Sequence, residues 1–192
     1  MIPRHPVPTD AGDVLAFWRD EVGPDRWYAS DPALDAEIAR RFAPAIEAAA
    51  AGRLDAWLAE PEGALALVLL LDQFPRNAWR GTARAFAQDA RGNAIAQRAI
   101  AMRHDRRIAP ELRQFFYLPL MHSEALPHQE RCVRLIQFGL ADMPKANENL
   151  EHARRHRDVI RRFGRFPSRN APLGRADTEA ERAYREAGGY MG

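Results

Sequence analysis

The run Ala64-Leu65-Ala66-Leu67-Val68-Leu69-Leu70-Leu71 leaves a chain like this few folds, because eight consecutive apolar residues offer water no polar face. A helix made from them is apolar on every side and belongs at the centre of a helical core. A buried strand is the alternative, but the Ala and Leu content and the scarcity of β-branched residues favour the helix. The run is far shorter than the roughly 20 residues needed to cross a bilayer, so no membrane span is expected. Pro61 opens this helix, and Pro75 biases Phe74 away from α geometry, which predicts an end near Gln73.

The remaining segments arrange themselves around that centre. Thr9 and Asp10 are N-cap types ahead of Val14, Leu15, Trp18 and Val22, and Gly23-Pro24 closes the pattern. Ser30-Asp31-Pro32 starts a second helix carrying Leu34, Ile38, Phe42 and Ile46 toward Gly52, with Pro44 predicting a kink or break near Arg40. Leu54 to Leu58 reads as a short helical turn with Trp57. Thr82 caps a helix reaching Met102, and Pro110 opens another through Phe116 that Pro119 breaks. Cys132, Leu135, Ile136 and Leu140 mark a helix beyond Pro127, and Leu150, Ala153, Arg157 and Ile160 mark one from Pro144 to Gly164. Asp177 and Thr178 begin a last helix that ends at Gly188-Gly189. No stretch alternates with period two, so no strand is expected. The reading is an all-α single domain over residues 1–192, with 1–9 as an extended tail. About nine helices form antiparallel pairs in a compact bundle or a superhelix.

A hydrophobic content of 46% builds such a core without staples, and 28% charged residues of mixed sign suit a soluble chain. Cys132 is the single cysteine, which excludes an intrachain disulfide and any paired-cysteine zinc site. Met1 to Asp10 is polar and proline-rich, unlike a signal or transit peptide, so a cytoplasmic location is expected. Phosphate loops and dinucleotide fingerprints are absent, and no cofactor is expected. His152 and His156 lie four apart but lack the glutamate of the zinc-protease pattern, so no metal is expected either.

Three groups of residues are chemically unusual. Asp72 closes the most apolar helix, where unpaired carbonyls disfavour a carboxylate, and Arg76 and Arg80 follow within two turns of chain. It is either one half of a buried ion pair or a site residue. Between Leu150 and Ala176, eight arginines face two carboxylates, Glu151 and Asp158. Arg154 to Arg162 read as a solvated face, whereas Arg165, Arg169 and Arg175 sit in a loop rich in Gly, Pro and Asn that can aim guanidinium groups inward. The stretch Tyr117 to Glu124 delivers His122, Ser123 and Glu124 at a helix break, as an oriented general base or as a satisfied core pair. Ser123 lacks the glycine elbow of a nucleophile.

Three ordered blocks then look familiar: Leu71-Asp72-Gln73-Phe74-Pro75-Arg76-Asn77 through Asp89, Tyr117 to Glu124, and Phe163 to Arg175. Together they resemble a bacterial family, domain of unknown function 924, whose fold is tetratricopeptide-like. The resemblance spans Phe17-Trp18 to the last helix. It implies the helical fold and carries no activity with it. Ser168 stands where that family has an aromatic or basic residue after the second Phe-Pro.

The reading that follows is a binding domain for a small carboxylate or phosphate. Arg76, Arg80, Arg165, Arg169, Arg175, Gln73 and Asn170 are the ligand candidates. Two alternatives stand beside it. One is a hydrolase of a small anionic molecule, with His122, Glu124 or Asp72 as catalytic candidates. The other is a peptide-binding interaction scaffold whose arginine–carboxylate network is structural. The basic stretch is single and not interleaved with stacking aromatics, so a nucleic-acid partner is not expected.

Overall fold

The computed structural model describes residues 10–191, so the expected tail at 1–9 and the Thr9 cap lie outside the described residues. Those residues hold eight α-helices and no strand. They cluster into two compact units, Met1–Ile108 and Ala109–Gly192.

In the first unit, Asp10 caps Ala11–Ala16 by accepting from the Asp13 amide, and the helix runs straight into a π-helical turn, Phe17–Val22. The two together are α1. Helix α2, Pro32–Ala50, starts on Asp31, whose carboxylate accepts from the amides of Ala33 and Leu34. Pro44 lies inside α2 without breaking it, contrary to the sequence expectation. Both Pro44 and Arg40 are exposed, so the carbonyl that loses its partner faces water. The central helix α3 is made of Pro61–Val68, a π turn Leu69–Gln73 and Phe74–Ala78. It therefore passes through Pro75 instead of ending at Gln73. The wider turn lets the Phe74 amide reach the Leu69 carbonyl, five residues back, and so makes room for the proline ring. Residues Ala64 to Leu71 are wholly buried, as an all-round apolar helix requires.

Phe17, Phe42 and Phe74 pack ring to ring, with centroids 4.7 to 5.9 Å apart, where α1 and α2 meet the end of α3. Trp18 stacks on Trp27, whose indole donates to the Trp18 carbonyl at 2.8 Å. The helix expected from Thr82 to Met102 is instead a 3₁₀ turn, Ala83–Phe86, followed by α4, Asp89–Ala101. Thr82 does not cap it: its hydroxyl donates backward to the Trp79 carbonyl at 2.8 Å, and helical pairing begins only after Gln88.

In the second unit, Pro110–Phe116 forms a 3₁₀ segment rather than an α-helix, and Pro119 falls in the first turn of a short helix, α5, Leu118–Met121. Proline is tolerated there because its missing amide has no intrahelical partner. Helix α6, Leu126–Gly139, packs along α7, Ala146–Phe163. Gly139 leaves room for the Tyr117 ring, and the Cys132 thiol points to the Tyr117 carbonyl at 3.4 Å, wholly buried. The last helix α8, Glu179–Glu186, starts on Thr178 in a reciprocal capping box with Glu181. Among the described residues, no helix is long and apolar enough to cross a membrane.

The start of α3 is pinned by Gly63, where an added Cβ would sit 2.2 Å from the Trp57 carbonyl oxygen. Gly63→Ala is expected to remove about 2 kcal/mol of stability by forcing the helix off the 3₁₀ turn Asp55–Ala59. Urea unfolding checks this through a lower midpoint at unchanged slope, and an unaltered midpoint contradicts the contact.

Candidate functional site

The residues singled out by sequence fall into two clusters, one in each unit. In the first, the π turn of α3 carries Asp72 and Gln73 inward, so Asp72 lies in the middle of a helix and not at its end. Its carboxylate accepts from the Gln73 amide at 2.6 Å and pairs with Arg76 at 3.2 Å. Arg76 also donates to the Asp72 carbonyl at 2.8 Å and to Asp89 at 2.9 Å, so a single guanidinium serves two carboxylates and a backbone oxygen. Arg80 does not join them. It grips Asp35 through two bonds of 2.6 and 2.9 Å, and Asn77 donates to the same carboxylate. Partial burial works against the Asp35 charge, but Arg80 and Asn77 outweigh it and hold the group below the usual carboxylate range. Tyr28 is 61% exposed as a residue, yet desolvation of its hydroxyl and the Asp72 charge push that hydroxyl's pKa up.

In the second unit, Glu124 and Glu181 knit the loop between α7 and α8. Glu124 accepts two bonds from Arg175, at 2.8 and 2.9 Å, and one from the Phe166 amide at 2.8 Å. Burial alone would raise its pKa, but Arg175 and the Phe166 amide lower it overall. Arg165 holds Glu181 at 2.6 and 2.8 Å, and this pairing drives the Glu181 carboxyl well below the ordinary range against its desolvation. Asn170, buried, donates to Asp177 at 2.8 Å and to Glu181 at 3.3 Å and accepts from Arg175 at 3.0 Å, so it links the two ion pairs.

Arg169 turns to a different corner. It donates to the His122 carbonyl at 2.8 Å and lies 4.6 Å from the Phe166 ring centroid. The His122 and His156 rings stand 6.4 Å apart beside it. Nδ1 of His156 donates to the His152 carbonyl at 2.8 Å, which leaves Nε2 as the atom that takes up a proton. Burial, with help from the charges of His122, His152 and Arg169, lowers its pKa from near 6.5 to about 4.

Sequence reasoning placed Glu124 beside His122, whereas the structure gives Glu124 to Arg175. It passed over Asp35 and Glu181, and it weighed His156 only with His152, as a metal pair that it set aside. Thr178-x-x-Glu181 is a legible capping box that would have flagged Glu181. His156 falls on the inward stripe of α7 with Ala153, Val159 and Ile160. Asp35, 45 residues from Arg80, carries no local signal. Ser123 has a partner in the His128 Nδ1 at 2.8 Å, five residues on.

A family model described as a bacterial protein of unknown function (DUF924) matches residues 14–189. The chain belongs to that family. It is also similar to a solved structure, a protein of unknown function, ATU0120, from Agrobacterium tumefaciens. The two are 45% identical, the match covers 92% of this chain and 97% of the other, and the TM-score is 0.84. No curated protein matches the chain.

The lowered pKa of His156 makes stability depend on pH with a definite sign. The folded ring stays neutral down to about 4, whereas the unfolded chain takes up the proton near 6.5. Stability from this group is therefore complete above pH 6.5 and erodes as pH falls toward 4, by about 3 kcal/mol in all. His156→Gln is expected to flatten that stretch of the stability curve. Denaturant titrations from pH 7.5 to 4.5 measure it, and equal slopes in the two proteins rule the assignment out.

Proposed function

We propose that the protein is a helical binding domain that holds a small anion, a carboxylate or a phosphate, at the corner formed by Arg169, His122 and His156. The observation that carries this reading is the convergence of three cation-capable side chains on one ring-lined spot, with Arg169 over Phe166 and the two imidazoles 6.4 Å apart. An anion there takes charge-assisted bonds from the guanidinium and raises the proton affinity of both rings. Arg76, Arg80, Arg165 and Arg175, each paired to a carboxylate of its own unit, then act as architecture, and Gln73 and Asn170 serve those pairs. The wide arginine pocket expected from sequence contracts to this corner.

The pairing itself favours a second reading, an interaction scaffold in which the whole arginine network is structural and a peptide docks elsewhere. The hydrolase reading draws less support. Both Glu124 oxygens already accept bonds, which suits a brace better than a general base.

A thermal-shift screen of small carboxylates and phosphates at matched ionic strength separates these readings. Ligand at about 100 times Kd adds about 2.7 kcal/mol. The shift should vanish in Arg169→Ala and survive in Arg175→Ala, which should itself melt lower because Glu124 loses its partner. No shift with any anion ends the anion reading and leaves the scaffold.

A further inference from the structure

Of the groups at the Arg169 corner, His156 is the one whose hydrogen is placed by its neighbours. Its Nδ1 lies 2.8 Å from the His152 carbonyl oxygen, which has no hydrogen to give, so Nδ1 carries the ring proton. The Tyr190 hydroxyl, 3.2 Å from the same nitrogen, has a second partner in Nδ1 of His152 at 3.0 Å. With a single proton on the ring, and that proton on Nδ1, Nε2 presents a lone pair. It has no hydrogen-bond partner among the described residues, and the residue is buried.

The His152 carbonyl and the Tyr190 hydroxyl take the Nδ1 side of the ring. The rest of its surroundings are the corner itself: Phe166 meets it edge to face at 5.6 Å, the His122 ring stands 6.4 Å away, and the Arg169 charge bears on it. Arg169 flanks the same Phe166 ring at 4.6 Å from its centroid. Farther out, Arg155 lies 5.5 Å from the Tyr190 ring centroid and is paired with Glu151 at 3.1 Å. An anionic oxygen drawn in by the Arg169 guanidinium therefore meets a lone pair at His156, and like polarity repels. Two routes remove the clash: the ring takes a second proton, or the ligand brings a hydrogen of its own. Burial, with the charges of His122, His152 and Arg169, lowers the ring's pKa to about 4. At pH 7.5 the first route then weakens binding roughly a thousandfold relative to a ring already charged. The second route carries no such penalty.

We infer that the anion held at this corner also carries a hydrogen-bond donor: Arg169 takes its charge, and Nε2 of His156 accepts its hydrogen. This rests on the anion reading and narrows it to one chemistry with two sources. In a hydroxycarboxylate the hydroxyl supplies the hydrogen, and in hydrogen phosphate the acid proton does. Plain carboxylates and sulfate bring the charge alone and leave a buried acceptor unmatched, which is the means by which a polar site rejects a near-identical ligand. His156 is thus a specificity-determining residue of the site, and it acts as a neutral acceptor and not as a cation.

Matched pairs of ligands test it, by calorimetric titration of the full chain at pH 7.5 and fixed ionic strength. Glycolate should bind about tenfold more tightly than acetate, or phosphate about tenfold more tightly than sulfate, which is the contribution of one buried hydrogen bond. The pair that shows the gap identifies the source of the hydrogen. In His156→Gln, whose amide offers either a donor or an acceptor, the gap should close. Nitrogen-15 spectra of the unliganded chain should place the His156 proton on Nδ1 at pH 7.5, a readout that depends neither on binding nor on how the variant folds. Equal affinities within both pairs overturn the inference and leave the anion reading standing. Spectra that place the proton on Nε2, or a gap that persists in His156→Gln, overturn it as well. No binding by any of the four ions ends the anion reading and this inference with it.

Discussion

Pro75 has no amide proton, and a helix buried on every side has no water to make up the loss. The first unit is organised around that shortage. A regular α turn would crowd the proline ring against the Leu71 carbonyl. The π turn at Leu69–Gln73 relieves the crowding, and it rotates Asp72 and Gln73 into the interior as it does so. A carboxylate brought inside needs a cation, and Arg76, one turn on, supplies it while also satisfying the Asp72 carbonyl. Asp89, the first residue of α4, then completes the pairing of Arg76. Phe74, directly after the π turn, anchors the aromatic cluster with Phe17 and Phe42. Turn, charge pair and core are parts of one solution to one missing hydrogen.

The second unit meets a different demand. Residues 164–178, between α7 and α8, hold one 3₁₀ turn, Pro167–Arg169, and a few backbone turn bonds, so side chains satisfy much of the remaining backbone. Glu124 takes the Phe166 amide, Arg175 takes the Phe166 carbonyl, and Arg165 takes the Ala176 carbonyl. The ion pairs are therefore the means by which the loop closes. Breaking one leaves both a charge and a peptide group unmatched, which couples their energies. The corner with Arg169 and the histidines lies at the edge of this brace and inherits its rigidity.

How far the sequence could be read depended on the range of each signal. Caps and apolar stripes are local, and Asp31 with Pro32, Asp177 with Thr178, and Pro61 ahead of the all-round apolar run mark the starts of α2, α8 and α3 as read. Proline was over-read as a stop signal, because its cost depends on whether the turn before it can widen or its lost partner faces water. Pro75 meets the first condition and Pro44 the second. Arg76 and Asp72 were legible as a pair because they are four apart. Arg80 with Asp35, and Arg175 with Glu124, join residues 45 and 51 positions apart, and nothing short of the fold specifies those choices. Charge content alone could not tell a pocket from a brace, since both need the same arginines.

All four tryptophans, Trp18, Trp27, Trp57 and Trp79, belong to the unit Met1–Ile108, and the lone cysteine lies deep in the other. Burial pushes the Cys132 thiol's pKa up, so while the fold is closed it is both hidden and unreactive. Indole emission then reports the opening of one unit alone, and the rate of thiol capture reports the opening of the other. The natural chain thus carries two orthogonal reporters, and an experimenter can ask whether its halves melt as one cooperative body or in sequence without attaching any label to it.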